Sequence, residues 1–478
     1  MATLLLANVG NSDLTVEGAT QGELPREARQ LAERLQVERG TYWPRIRLPI
    51  LTKALNYVLA QGEPIETIIL FVSDQSRDLV GEAEWSKDTC ETGKLIREKL
   101  LEQYCGQGWT AKQVRLHTIP GNPADYDTML AYFERELPRI RGFYNAASLR
   151  VYLSLTGGTP AMNAMLLVVG NEVFGPPTVN LYDSRERKQP FPLGVGRRLA
   201  HRALRVVLLT NLRTYQYAAA LALLEQEGPL LVDAHSTRRV LAALLTYARD
   251  RLAFNFADAA QALDAALPHA TGLVKDRLLY WQNQVLHPTA TDRLRELYFS
   301  AEIKRLNYAY AGWLERVFRF QESALRHAAV SRGVRFRDPN QEHLNLAWLK
   351  AQSGLAEYLA QAPQRGGGRG LDPRRSASRP LLRAVLAYLA EAQGDDRPGR
   401  LLALSDRLEE LASLRNHWVH RSRGVRRADL EEAFGGSLEE ATEILAQIFR
   451  LLSGTEVGAN PYDAINSLCQ ELVQGDRQ

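Results

Sequence analysis

The stretch "LRNHWVH" holds Arg415, Asn416 and His420, and the arginines of "HRSRGVRRAD" follow directly. Arginine and histidine together suit metal-free cleavage of RNA. The ribose 2′-OH supplies the nucleophile, so the protein need only move protons and stabilise charge. Histidine, with an ordinary pKa near 6.5, takes or gives a proton at neutral pH. Arginine keeps its charge and can stabilise the negative charge that gathers on phosphorus. No acidic cluster stands nearby to hold magnesium, as two-metal nucleases require. The plainer alternative is a solvated basic turn, with His417 on the surface and Trp418 and Val419 in the core. Spacing alone does not choose between them, since chance supplies such a pair in a chain with 50 arginines and 9 histidines. On a continuous helix Arg415 and His420 point about 140° apart, at 100° per residue. They converge on one phosphate only at a helix end or bend, or beside a symmetry partner. A looser pair, Arg337 and His343, lies in a turn set by Pro339 and is set aside.

A second constellation lies in "VYLSLTGGTPAMNAMLL". A buried strand ends at Thr156-Gly157-Gly158-Thr159, and a helix opens at Pro160 with Thr159 in the N-cap position. The two glycines let backbone amides approach a ligand, and the helix N-terminus carries about half a positive charge for an anion. Two more polar loops follow strands: "GNSD", with Gly10, Asn11, Ser12 and Asp13, and "SDQSRD", with Ser73 and Asp74. A third, "PGNPADYD", can join them. In open α/β sheets ligands bind beyond the carboxyl ends of the strands, so these loops predict a cradle for a phosphate-bearing ligand. A tight strand-to-helix turn is the alternative for the glycines alone. A dinucleotide fingerprint fails, because "ANVGNSDLT" has one glycine where three are needed. A nucleoside-triphosphate loop fails as well, because "DTCETGKLI" places Asp88 and Leu95 where Gly and Ser or Thr belong.

The elements that must carry these residues fall into two kinds. Apolar strands at 3–9, 67–73, 114–119, 150–156 and 178–183 alternate with helical patterns near 44–61, 88–105, 124–137 and 160–174. Strands that are apolar on both faces belong in a parallel sheet between helices, so the expected class is α/β, Rossmann-like. After about residue 200 the β signal ends and only helical patterns remain, interrupted by the Gly/Pro/Arg-rich 362–380. The expected division is 1–195, a helical connector 196–300, and an all-α domain 301–478. The connector carries no readable motif, and no repeat of fixed period appears.

Composition sets bounds. Apolar residues make up 45% and charged residues 24%, as in soluble globular chains. No stretch reaches the roughly 20 apolar residues of a membrane span, and the N-terminus lacks the pattern of a signal peptide. Three cysteines, Cys90, Cys105 and Cys469, have no metal-ligand spacing; a reducing, cytoplasmic setting is expected. A net charge of +4 is too mild to diagnose a nucleic-acid binder.

"SLTGGTPAMNAML" after a buried strand resembles the ligand motif of CARF domains, and "RNHWVH" resembles the HEPN ribonuclease motif. Their order is similar to the CARF–HEPN ancillary ribonucleases of type III CRISPR systems, which serve antiviral defence. The resemblance implies a homodimer that binds one cyclic oligoadenylate, with cyclic tetra-adenylate the expected form, across the CARF two-fold axis. Gly10, Asn11, Ser12, Asp13, Ser73, Asp74, Thr156, Gly157, Gly158, Thr159 and Met162 would line that site. It also implies an allosterically activated endoribonuclease that cuts single-stranded RNA without metal or cofactor. Arg415, Asn416 and His420 would be catalytic, with the Arg–His pairs of two subunits sharing one groove. Alternatives are a non-enzymatic CARF-type sensor or transcription regulator gripping nucleic acid through "HRSRGVRRAD", and a dehydrogenase, weakened by the missing glycines. Slow cleavage of the cyclic ligand through Thr156 or Ser12 would add to the first reading.

Overall fold

The computed structural model describes all residues except 1, 21, 105–108, 146–148, 176–177, 185–186, 188, 339, 341, 363–369, 412–413, 415–423 and 476–478. The chain divides into two compact units, Met1–Leu204 and Arg205–Gln478.

The first unit is built on six strands: β1 (Ala2–Asn8), β2 (Thr67–Ser73), β3 (Val114–Ile119), β4 (Leu149–Ser154), β5 (Thr178–Tyr182) and β6 (Phe191–Leu193). Their order in the sheet is β3-β2-β1-β4-β5-β6. The first five are parallel, with Leu5 of β1 level with Ile68 on one side and Tyr152 on the other. The parallel α/β class read from the sequence is borne out. Successive strand residues serve opposite faces, as the pleat requires. Leu5, Ala7, Ile68 and Leu70 pack with Leu51, Leu55, Ile96 and Leu100. Leu4, Leu6, Ile69 and Phe71 pack with Phe133, Leu137, Leu166 and Val169. The helices doing this are α1 (Ala28–Val37), α2 (Pro49–Ala60), α3 (Cys90–Gln103), α4 (Tyr126–Gly142) and α5 (Pro160–Phe174).

Three features depart from the sequence pattern. Helix α4 continues through Pro138 to Gly142, because Leu137 and Ile140 on one face are both buried and outweigh the lost backbone bond. Helix α1 was not legible. Strand β6 is antiparallel to β5; its three residues include Pro192, which an edge strand tolerates.

Among the described residues from Val195 onward every element of eight residues or more is helical: α6 (Val195–Arg213), α7 (Tyr217–Leu231), α8 (His235–Leu252), α9 (Phe256–Ala266), α10 (Gly272–Leu286), α11 (Ala290–Leu306), α12 (Tyr310–Ser331), α13 (Arg379–Gln393), α14 (Asp396–Asp406), the short helix Arg427–Phe434, α15 (Leu438–Ser453) and α16 (Pro461–Gly475). In the second unit α12 is buried along one side by Trp313, Leu314, Val317, Phe320 and Leu325. A buried ion pair, Arg251 with Glu296, joins α8 to α11, and the Tyr462 hydroxyl of α16 donates to Glu296 at 2.9 Å.

One turn recurs three times. Tyr215, Phe254 and Tyr308 follow α6, α8 and α11, each with positive φ (56°, 66° and 57°). At each, the aromatic N–H donates three residues back and the next N–H five back, as with Tyr308 to Arg305 and Ala309 to Lys304. This is the Schellman helix end, normally closed by glycine. The residue two further on is aromatic and meets its partner edge to face, in Tyr215–Tyr217, Phe254–Phe256 and Tyr308–Tyr310. The stretch from Tyr215 to Tyr310 thus carries a recurring aromatic-x-aromatic, unequally spaced along the chain and so invisible to a search for a fixed period. A side chain in this left-handed region costs about 1–2 kcal/mol. Tyr308 is exposed and recovers little of that by burial, so Tyr308→Gly should raise stability by about 0.5–1 kcal/mol, read as a higher urea midpoint with unchanged slope.

Candidate functional site

The strand order reverses between β1 and β4, with β2 and β3 on one side and β5 on the other. At this reversal the loops after neighbouring strands turn to opposite faces of the sheet and open a crevice. A cavity of about 540 Å³ lies there, lined by residues from the loops after β1, β2, β3 and β4.

Gly10, Asn11, Ser12, Ser73, Gly158, Thr159 and Met162, all read from the sequence, line it together. The β1 and β4 loops touch backbone to backbone. A Cβ on Gly10 would stand 2.6 Å from the Gly158 nitrogen, and one on Gly157 would overlap the Asn8 carbonyl and the Asp13 carboxylate. Gly158 has φ +79°, and a Cβ there would meet Asn8. Glycine is required at all three positions for close approach. Thr159 caps α5 by accepting from the Met162 N–H at 3.2 Å, and its hydroxyl donates to the Pro123 carbonyl, tying the β3 loop to the cradle. The positive end of α5 therefore faces the cavity, as does Lys87, whose ammonium pairs with Glu84 at 2.8 Å.

Other residues named from the sequence do not line the cavity. Thr156 accepts from the Asp183 N–H at 2.8 Å, and Asp183 is paired with Lys53 at 2.9 Å. Asp74 is taken by Arg29 at 2.5 Å, with Arg29 stacked on Trp85. Asp13 is fully buried; one oxygen accepts from the Gly10 N–H at 2.7 Å, and the other has no hydrogen-bond partner among the described residues. Burial pushes its carboxyl up to about 7, against the opposing pull of the Gly10 amide.

Several lining residues were missed by sequence reasoning: Gln75, Glu84, Lys87, Asp88 and Thr89. Asp88 is the anchor of this wall. It accepts from both the Gln75 backbone N–H (2.6 Å) and the Gln75 side-chain amide (3.1 Å). Ser73 and Thr89 exchange hydrogen bonds, each backbone N–H donating to the other's hydroxyl at 3.0 and 3.1 Å. The only signal was the polar run "SKDT" before α3, which no local pattern connects to β2. Burial pushes the thiol of Cys90, at the start of α3, up to about 12, which disfavours the thiolate.

Arg415, Asn416, His417 and His420 lie outside the described residues. The set-aside pair forms a small turn, in which Arg337 donates to the His343 carbonyl at 2.8 Å and Asp338 lies 3.5 Å from the His343 ring. Among the described residues no cluster of three or more His, Cys, Asp or Glu could hold a metal ion, and no helix is long and apolar enough to cross a membrane.

No protein-family model matches the sequence, and no curated protein does. By structure, the chain aligns with Enterococcus italicus Csm6 bound to cyclic hexa-2'-fluoro-hexa-dAMP, at TM-score 0.59 and 12% identity, over 99% of this chain and 100% of that one. The chain has the fold of Csm6. The CARF–HEPN resemblance drawn from two short motifs and this likeness over the whole length agree on the fold. The first unit supplies the glycine-lined cavity, and among the described residues the regular elements of the second are helices apart from isolated bridges.

Two outcomes follow. Asp13 binds its proton more tightly folded than unfolded, so its contribution to stability falls as pH rises from 3.8 through about 7. Asp13→Asn should remove that decline, a difference of about 4 kcal/mol at most, seen as a variant whose thermal midpoint gains on wild type between pH 4 and pH 8. Gly157→Ala should cost about 1–3 kcal/mol through overpacking, measured by urea denaturation.

Proposed function

We propose that this protein is a cyclic-oligoadenylate-activated endoribonuclease of the CARF–HEPN kind, acting as a cytoplasmic homodimer in CRISPR-linked antiviral defence. The observation that carries the reading is the cavity at the β1/β4 reversal. It is walled by glycines and capped by a helix N-terminus, in a chain whose fold is shared end to end with a protein solved with a cyclic hexanucleotide analogue. Backbone amides of the Gly10 and Gly158 loops and the positive end of α5 suit the phosphates of such a ring. Asn11, Ser12 and Ser73 offer hydrogen bonds to ribose and base. Two copies of the first unit would share one ring across their two-fold axis.

The chemistry is assigned to Arg415, Asn416 and His420. The ribose 2′-oxygen bonds to the adjacent phosphorus, the bond from phosphorus to the 5′-oxygen breaks, and the products are a 2′,3′-cyclic phosphate and a 5′-hydroxyl. His420 accepts the 2′ proton or delivers one to the 5′-oxygen, and Arg415 holds the charge on the phosphoryl oxygens. Asn416 orients the phosphate. The reaction so written needs no metal, and DNA, lacking the 2′-OH, is spared.

The test is cleavage of a labelled single-stranded RNA in EDTA, with cyclic tetra- and hexa-adenylate supplied separately. One ring should stimulate cleavage at least about tenfold, and His420→Ala should lower the stimulated rate by about 10²–10⁴. Full activity in His420→Ala, or in a strictly monomeric protein, overturns the assignment.

A further inference from the structure

The second unit carries a groove of about 660 Å³ that the proposed chemistry does not use. Four arginines line it, Arg293, Arg316, Arg319 and Arg326, with Phe254 and Phe256 among the other walls. Arg316, Arg319 and Arg326 form a stripe along α12, three and ten residues on from the first, about 15 Å long at 1.5 Å per residue. Arg293 comes from the neighbouring α11. Phe254 sits in the left-handed turn between α8 and α9, and Phe256 opens α9.

The charges of this groove are only partly matched. Arg326 pairs with Glu322 at 2.8 Å and Arg319 with Glu315 at 2.7 Å. Neither Arg293 nor Arg316 has a carboxylate within 4.0 Å among the described residues. Arg316 is half-buried with its guanidinium over the Phe254 ring, 4.9 Å from the centroid. Burial and the adjacent Arg319 both disfavour its charge, and Glu315 offsets them in part. An arginine does not shed its proton to escape. Cations held side by side and only partly paired gain from an anion laid along them. A stripe of this length asks for several anionic groups in a row, and an aromatic pair beside it suits planar bases. A cationic groove that follows a backbone, flanked by stacking rings, is how single strands are held without sequence preference.

We infer that this groove binds the phosphate backbone of single-stranded RNA, with the Phe254–Phe256 pair as a platform for unpaired bases; the inference rests on the ribonuclease reading for its choice of ligand. The experiment uses the full chain and a 5′-fluorescent 2′-O-methyl RNA 12-mer, whose blocked 2′ positions allow binding without cleavage. Anisotropy is followed over a potassium chloride series for wild type, Arg316→Ala/Arg319→Ala and Arg293→Glu. The double variant should bind at least about tenfold more weakly, and its slope of log affinity against log salt should shrink by roughly 1.4, at about 0.7 per phosphate on a single strand. Arg293→Glu alters an exposed side chain, so a matching thermal midpoint there separates lost binding from lost folding. Wild-type affinity in both folded variants overturns the inference. So does an equal loss for duplex RNA, or displacement of the strand by inorganic phosphate at equimolar concentration. Should wild type bind the strand as described yet cut no RNA under any activator, the ribonuclease reading falls and the groove stands.

Discussion

At the reversal of the sheet two loops meet main chain to main chain, with no room for a side chain between them. Gly10 lies against the Gly158 nitrogen, and Gly157 lies over Asn8 and Asp13. This contact positions everything else in the cradle. It places the N-terminus of α5 at the mouth of the cavity, and the Thr159 cap then ties in the loop after β3. Its consequence is a carboxyl group, Asp13, shut in beneath glycine with one oxygen unmatched among the described residues. Such a site stores an electrostatic cost directly behind the cavity wall.

The helical unit is organised by a different device. Its hairpins close through a turn that normally calls for glycine, yet an aromatic residue occupies it at Tyr215, Phe254 and Tyr308. The backbone cost is offset to different degrees. Tyr215 donates to Asp463 at 2.8 Å, and Phe254 takes the Arg316 guanidinium on its face, whereas Tyr308 is mostly exposed. The same turn therefore serves as a tether in one place and as a groove wall in another.

Much of the first unit was legible in the sequence because buried parallel strands are apolar on both faces and stand out locally. The loops after β1 and β4 were legible because glycine pairs and an N-cap threonine have specific backbone uses. Helix α1 and strand β6 were not legible. One is polar on most of its surface, and the other is three residues at a sheet edge. Asp88 and Thr89 were missed because their role depends on facing Ser73 and Gln75 across a gap in the chain. The arginine groove was hidden for the same reason, since its walls come from α8–α9, α11 and α12.

By itself the sequence determined the α/β class of the first unit, the helical class of the second and the residue types available for chemistry, because periodicity and turn preferences act over a few neighbours. Only the tertiary structure decided which loops share a cavity, that Asp74 belongs to Arg29 and that Asp13 is closed off from water. Those outcomes depend on strand order and on burial, and both arise from contacts between residues far apart in the chain.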